Sequence, residues 1–455
     1  MDPYSDDEKL AMLPFLELRF SKLPRAPGGL VFGTDGVKSD VQLPQVGRAS
    51  GRQFSITFKN DFPDGRYRLV VHDLGSTFGT EVSYDGNIDK SKEKKKFRRI
   101  FDWLVSGNEY PQRDKAIIQI QINEFLTFRI VPVHRDVTSP TYTRNVERFL
   151  RGAPASDTFL NALRLQSGPQ TVATSTAQTP FTGPILLPMD SKSSNGTFGL
   201  VTRVWNASTG EEYACKRPVS SKFNVADWKR EVETLERFQH AHIVRVCMLF
   251  MSPRPEIYLE FMRGGSLHDQ HTANPFTFEE CCEILRQCLT ALVHLHGQTP
   301  PVAHRDLKPA NILVQSRRPL YVKLGDFGAA KGGPLATRLG TYAYAAPEMQ
   351  ADAVRGPYTE RVDVYALGAT VLDLGYGRPG NKYGTGLSWC KEVDKRSRSI
   401  PKDGLLLILW DMMIFDAKNR LSAKDSLARA NILCDWVKRQ PDSVRRARPA
   451  ARRRE

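Results

Sequence analysis

The sequence predicts a multi-domain protein, an all-β sandwich followed by a larger α+β domain, and three observations carry that expectation. Up to residue 135, short apolar segments are separated by turn clusters such as Pro63-Asp64-Gly65 and Tyr84-Asp85-Gly86-Asn87, the pattern of many short strands joined by tight turns. From 165 to 189 the chain carries no charge and is rich in Thr, Ser, Gln, Gly and Pro. Such a segment buries too little apolar surface to offset its ordering entropy, so it reads as a linker. Beyond it, strand-like segments give way to helix-like apolar spacing over Glu279–His296 and Leu405–Phe415.

The expected boundaries are a sandwich over 12–135, a linker over 136–183 and the α+β domain over 184–440, with a basic tail over 441–455. Within the sandwich, Ile118, Ile120 and Ile122 alternate with Gln119 and Gln121, which marks a half-buried strand. Further strands are expected at Phe15–Phe20, Leu30–Phe32, Gln53–Lys59, Tyr67–His72 and Leu126–Val133. Residues Asp89–Asp114 hold a basic run and an apolar patch and read as a long loop insertion. A short helix is expected around Asn145–Leu163, interrupted by Gly152 and Pro154.

Composition excludes several classes. With 40% hydrophobic and 25% charged residues in 455, the chain is neither wholly disordered nor collagen-like. No apolar run approaches the ~18–20 residues that cross a bilayer. The acidic start MDPYSDDEKL lacks the basic-then-apolar pattern of a signal peptide. Seven cysteines with no C-x-x-C pair point to reduced intracellular thiols, Cys281 and Cys288 reading as core residues of one helix face. The histidines show no metal-ligand spacing, so no structural zinc is expected. The net charge of +15 is concentrated in Lys90–Arg99, with seven basic residues, and Arg445–Arg454, with six. The remainder is nearly balanced, which argues against a nucleic-acid groove built into the fold. Nuclear-import signals and a solvated basic tail both fit these runs.

Chemistry is suggested by a series of segments in one order. Asn195-Gly-Thr-Phe-Gly-Leu-Val201 is a glycine hairpin able to close backbone N–H groups on phosphate oxygens. Tyr213-Ala-Cys-Lys216 follows, then Glu231 in a helix-like stretch Trp228–Phe238. Next come Ala303-His-Arg-Asp306-Leu-Lys308-Pro-Ala-Asn311, Leu324-Gly-Asp326-Phe-Gly328, Gly340-Thr341 through Ala346-Pro347-Glu348, Asp363-Val-Tyr-Ala-Leu-Gly368 and Arg420. Each alone reads as a charged turn or a capped helix; their joint order does not.

These segments resemble the protein-kinase signature set across 184–440, and Lys308 is similar to the serine/threonine class. The resemblance implies a bilobal fold and transfer of the ATP γ-phosphate to protein Ser/Thr hydroxyls, with ATP and Mg²⁺ as cofactors. It implies that Ser194, Asn195, Gly196, Thr197, Phe198, Gly199 and Val201 cover the phosphates, with Ala214, Glu260 and Met262 lining the nucleotide site. Lys216, oriented by Glu231, would hold the α/β-phosphates. Asn311 and Asp326 would hold the metal, since hard cations take oxygen ligands. Asp306 would accept the substrate proton and Lys308 would steady the moving phosphoryl group. His304 and Phe327 would pack, and Leu259 would guard the back of the nucleotide pocket. Gly264 and Gly265 would turn the chain between lobes, Asp363 would brace the catalytic loop, and Glu348 would pair with Arg420. In the activation segment, Thr341 takes a structural place. Thr337 is the candidate phosphosite, with Arg305 and Arg338 to meet its charge. Tyr365 stands where the family has tryptophan, and Ser194 where it has glycine.

The fragments Val31-Phe32-Gly33, Ser39-Asp40-Val41-Gln42-Leu43, Ser50 to Ile56 and Asp73-Leu-Gly-Ser76-Thr77-Phe-Gly79-Thr80 resemble a forkhead-associated (FHA) phosphothreonine-binding sandwich. The resemblance implies phosphopeptide contacts at Ser50, Arg52, Ser76 and Thr77. Thr34 replaces the family's phosphate arginine, Gln53 its histidine and Phe78 its asparagine, with Arg48 or Arg52 as candidate substitutes. The two-module order is similar to that of fungal and other eukaryotic DNA-damage checkpoint effector kinases. It implies a nuclear enzyme with protein substrates and phosphothreonine-bearing partners. From the apolar runs no membrane partner is expected, and the charge distribution argues against nucleic acid, with binding through the two basic runs as a third reading. An ATP-binding scaffold with a degenerate phosphopeptide reader is the alternative.

Overall fold

The computed structural model describes residues 18–20, 22–84, 100–106, 117–123, 125–130, 136–153, 185–189, 194–196, 199–218, 232–233, 235–250, 255–332, 343–350, 358–377 and 386–445. The chain divides into two compact units. One comprises Met1–Met189 with Trp205–Glu211, and the other Asp190–Val204 with Glu212–Glu455.

The first unit is a β-sandwich. Its strands are β1 (Leu30–Gly33), β2 (Val41–Gln42), β3 (Phe54–Lys59), β4 (Arg68–Asp73), β5 (Glu81–Tyr84), β6 (Asp102–Leu104), β7 (Ile118–Asn123) and β8 (Leu126–Ile130). They form one sheet in the order β2-β1-β3-β4-β6 and another in the order β5-β7-β8. The alternation in β7 sets which face is core. Ile118, Ile120 and Ile122 are buried together with Phe32, Phe54, Ile56 and Val70 from the other sheet, each large side chain contributing about 1.5–3 kcal/mol. Phe32 and Phe54 stack at 4.7 Å, and Phe54 reaches Phe128 at 6.4 Å.

Two expectations are corrected here. The insertion over Asp89–Asp114 is not all loop: Asp102–Leu104 forms β6, antiparallel to β4. Trp103 and Leu104 are fully buried, so the apolar patch beside the basic run is sheet core. Leu18–Phe20 are not strand; Phe20 instead stacks on Phe58 at 5.5 Å and meets Tyr142 and Phe149 edge-on.

Those last rings belong to α1 (Pro140–Arg151), which starts ahead of the expected Asn145. Ser139 caps it through its hydroxyl, Pro140 opens it, and it stops at Gly152, whose φ of 75° favours glycine. The expected continuation beyond 153 lies outside the described residues, as does the uncharged linker up to 184. Strand β9 (Leu186–Pro188) closes this unit's continuous run.

The second unit opens with β10 (Ser194–Gly196), β11 (Gly199–Asn206), β12 (Glu212–Arg217), β13 (Val246–Phe250) and β14 (Glu256–Glu260), in sheet order β10-β11-β12-β14-β13. Helices follow: α2 (Leu267–Ala273), α3 (Phe278–His296), α4 (Arg361–Tyr376), α5 (Gly386–Arg398), α6 (Gly404–Met412), α7 (Ala423–Lys438) and α8 (Asp442–Arg445). Between α3 and α4 lie β15 (Val302–Ala303), β16 (Ile312–Arg317), β17 (Leu320–Leu324) and β18 (Lys331–Gly332). The expected Trp228–Phe238 helix is described at 232–233 and 235–238; it is helical at 232–233 and 235–237, and Phe238 lies beyond its end.

Helix α3 begins at a capping box, Thr277 with Glu280, and buries Cys281, Ile284, Leu285, Cys288 and Leu292 along its apolar stripe. Burial of Cys281 and Cys288 pushes their thiols well above the ordinary range, as expected of inert core residues. Helix α4 is buried nearly all round and packs on α3 and α6, so it is the pillar of the helical part. Among the described residues no helix is long and apolar enough to cross a membrane.

A histidine cluster joins the segment before β13 to α3. His240 stacks on His294 at 5.3 Å and lies 5.8 Å from His242. Burial lowers the pKa of His240, with the charges of His294, His242 and Lys323 adding to it. Burial also lowers that of His242, against its hydrogen bond to the Val322 carbonyl. Histidines held neutral in the fold bind fewer protons than in the unfolded chain, so stability falls as pH drops through the ordinary value of 6.5. Urea titrations of the full chain between about pH 5.5 and about pH 7.5 should show the unfolding midpoint rising with pH. The slope should be shallower in His242→Asn; an unchanged slope would contradict the assignment.

Candidate active site

Strand β15 delivers His304 to Lys308 into the middle of the second unit, and Asp363 in the first turn of α4 holds them there. His304 N and Arg305 N each donate to the Asp363 carboxylate at 2.8 Å. His296, at the end of α3, contacts the same carboxylate at 3.0 Å. Burial alone would raise the Asp363 pKa. The hydrogen bond and charge of His296, the charge of His304 and the Arg305 N–H outweigh burial, and the net shift is downward. The His304 ring packs on Phe327 at 4.7 Å and bonds the Gly325 carbonyl at 2.9 Å.

Below this brace the polar groups converge. Lys308 Nζ donates to Asp306 Oδ2 at 2.9 Å. Asn311 Nδ2 donates to the same oxygen and to the Asp306 carbonyl, both at 2.8 Å. Gly325 N donates to the Asn311 carbonyl at 2.9 Å, which sets the neighbouring Asp326 beside the loop. Asp326 sits at φ 58°, ψ 71°, a left-handed conformation that is costly for a residue with a Cβ. Lys216 on β12 donates to Asp326 Oδ1 at 2.8 Å, with its side chain only 5% exposed. Two carboxylates, an amide and two ammoniums thus form two clusters, Asp306 with Lys308 and Asn311, and Asp326 with Lys216, joined through the backbone bond of Gly325 to Asn311.

The sheet side is set by register. On β12 and β14, Tyr213 faces Glu260, Ala214 faces Leu259 and Lys216 faces Ile257. The hairpin of β10 and β11 pairs Ser194 with Val201, Asn195 with Leu200 and Gly196 with Gly199. Glu260 accepts from Lys323 Nζ at 2.6 Å and from Arg245 N at 2.7 Å, tying the strand end to β17. Met262 is buried. Gly264 and Gly265 follow, and Gly264 N donates to the Val314 carbonyl at 2.8 Å. A Cβ on Gly264 would stand 2.6 Å from that carbonyl oxygen, so only glycine allows the approach. Thr197, Phe198, Glu231, Thr337, Arg338 and Thr341 lie outside the described residues.

Arg420, 0% exposed at its side chain, donates to both Glu348 oxygens at 2.7 and 3.0 Å. It also caps the Ile414 carbonyl and lies over the Tyr365 ring, 5.1 Å from its centroid. Sequence reasoning missed the group that meets Arg305. Its Nε and Nη2 donate to the Tyr358 hydroxyl at 3.1 and 2.7 Å, and its Nη1 to the Ala329 carbonyl at 3.2 Å. The tyrosine lies 53 residues along the chain, and no local pattern marks the pairing.

In the first unit, Ser50 Oγ accepts from Thr77 N at 2.9 Å and donates to Thr77 Oγ1 at 3.2 Å. Gln53, buried, accepts from Ser50 N and donates to the Gly79 carbonyl and Thr80 Oγ1, so it locks the two loops together. Arg48 lies over the Phe78 ring, 5.2 Å from its centroid, and Phe78 is 44% exposed. Arg52 is exposed. Ser76 departs from expectation: it is 1% exposed, donates to Asp73 Oδ2 at 2.6 Å and accepts from Gly79 N at 3.0 Å. It shapes the loop from inside and is not a surface contact.

The protein kinase domain family matches residues 191–430. The chain belongs to the protein kinase family. Among similar relatives is serine/threonine-protein kinase RAD53 of Saccharomyces cerevisiae, 33% identical over 201 residues, 40% of this chain and 24% of that protein. Another is serine/threonine-protein kinase cds1 of Schizosaccharomyces pombe, 33% identical over 195 residues, 39% of this chain and 42% of that one. The match therefore spans less than half the length of these two relatives. A crystal structure of Rad53 1–466 in complex with AMP-PNP is alike with a TM-score of 0.57 at 22% identity, covering 92% of this chain and 96% of that one. That likeness concerns the fold, and it extends over the sandwich as well as the kinase domain.

Proposed function

We propose that this kinase is a serine/threonine protein kinase that transfers the ATP γ-phosphate to Ser and Thr hydroxyls of protein substrates. The observation that carries the reading is that Lys308 and Asn311 bond Asp306 while Lys216 bonds Asp326, with the two groups joined by Gly325 N on the Asn311 carbonyl. The donor set fits Mg²⁺–ATP: Asp326 and Asn311 offer the hard oxygen ligands that Mg²⁺ prefers, and Lys216 offers a buried cation for phosphate oxygens. Bound Mg²⁺ supplies charge neutralisation at the phosphates. Asp306 takes the proton of the attacking hydroxyl on its carboxylate. Lys308, held at that carboxylate, offers its ammonium to the transferring group. The strand residues Ser194–Gly196, Gly199, Val201, Ala214, Glu260 and Met262 line the nucleotide, and Glu231 orients Lys216. Thr337 is the phosphosite of the activation segment.

We infer further that the first unit reads phosphothreonine and recruits the kinase to its partners. Ser50 and Thr77 stand together on Gln53-locked loops, and Arg48 beside Phe78 supplies the cation that Thr34 does not. With the two basic runs as import signals, the reading extends to a nuclear role in DNA-damage checkpoint signalling.

Steady-state transfer to a degenerate peptide library tests the chemistry. Asp306→Asn should lose about 10²–10⁴-fold in kcat while the melting temperature holds; equal rates in both proteins would remove the assignment. Fluorescence polarisation with matched phosphothreonine and threonine peptides tests recruitment. Arg48→Ala should weaken phosphopeptide binding about ten- to hundred-fold, and equal binding of both peptides would reject a phosphate reader.

A further inference from the structure

Arg305 is held in the catalytic loop through its backbone and its side chain. Its backbone lies at φ 73°, in the region that disfavours a side chain with a Cβ. Its N–H is bound by Asp363 at 2.8 Å. Its side chain is buried, the whole residue being 5% exposed. A buried guanidinium is a planar fork of N–H donors, and its orientation is set by whichever acceptors meet it. The Tyr358 hydroxyl meets two of them, Nε at 3.1 Å and Nη2 at 2.7 Å. That fixes the plane of the fork and turns Nη1 to the Ala329 carbonyl at 3.2 Å, in the turn that follows Asp326. The Tyr358 ring adds a cation contact at 5.7 Å, and Tyr358 is itself buried at 5% exposure.

We infer that Tyr358 is a positioning residue for phosphoryl transfer: through the Arg305 guanidinium, its hydroxyl sets the loop that carries Asp306 against the turn that carries Asp326. The inference rests on the kinase reading above. The hydroxyl supplies a fixed neutral oxygen at the arginine of the catalytic loop, where the sequence led us to expect the charge of a phosphorylated Thr337 to be met. Without that oxygen, Nε and Nη2 lose the acceptor they share, and the hold of the fork on the Ala329 carbonyl loosens. The loop then holds its strained φ with one support fewer.

Tyr358→Phe keeps the ring and removes only the oxygen. We expect kcat to fall about ten- to hundred-fold with KM for ATP nearly unchanged, because the defect is one of alignment. Combined with Arg305→Met, it should cost no more than the worse single change, since both act through one contact. Amide hydrogen exchange over 304–306 should also quicken in Tyr358→Phe, a readout that does not need turnover. Unchanged kcat together with unchanged exchange would overturn the inference, as would fully additive losses in the double variant. Faster exchange in a chain whose wild type transfers no phosphate would instead reject the kinase reading, and with it the role in phosphoryl transfer, leaving only the hold of Tyr358 on the 304–306 loop.

Discussion

The wholly buried Asp363 carboxylate accepts the backbone N–H groups of His304 and Arg305 at 2.8 Å each. A hydrogen bond to a charged group nets roughly 1.5–3 kcal/mol, and a buried N–H left without its acceptor costs about 1–3 kcal/mol. Because α4 is packed on nearly every side, that carboxylate has a fixed address. The loop hung from it inherits the rigidity of the core, and Asp306, Lys308 and Asn311 come with it. His296 at the far end of α3 bonds the same carboxylate, so both central helices bear on one point.

Strain gathers where this support is densest. Arg305 and Asp326 are non-glycine residues at positive φ, each costing on the order of 1–3 kcal/mol. Arg305 adjoins Asp306, and Asp326 itself belongs to the group that the proposed chemistry uses. Gly325 N on the Asn311 carbonyl, His304 on the Gly325 carbonyl and Arg305 on the Ala329 carbonyl tie the two strained segments together. Lys216 then reaches Asp326 from the sheet. Arg420 and Glu348 anchor the other side of α4, with Arg361 and Tyr365 around them. The site is thus an arrangement of charges held by neutral backbone groups, which is what electrostatic preorganisation requires.

How much of this was legible depended on range. Period-2 isoleucines mark β7, and the apolar stripe over Glu279–His296 marks α3 to within a residue, because both patterns are local. The order of the motif segments points to Asp306, Asn311, Asp326 and Lys216 acting together; Asn311 bonds Asp306, Lys216 bonds Asp326, and Gly325 N on the Asn311 carbonyl joins the two segments. Asp102–Leu104 was hidden because a strand of three residues beside a lysine run has no period to read. Ser76 matches a polar contact position of the FHA resemblance, and motif position alone does not show which way a side chain turns; here the Asp73 carboxylate holds it inward. Tyr358 escaped since its significance lies in a hydroxyl meeting an arginine far along the chain. Gln53, noted as a departure, turned out to be the brace between two loops, a role that needs the fold to be seen.

The dependence of the catalytic loop on one carboxylate is most directly tested by steady-state phosphoryl transfer in Asp363→Asn, which keeps the volume but sets an amide against the backbone donors. The account predicts a loss of about a hundred-fold or more in kcat, with the far-ultraviolet circular dichroism of the folded chain retained. Turnover within about two-fold of wild type would contradict it, since a loop that needs no such acceptor is positioned by something else.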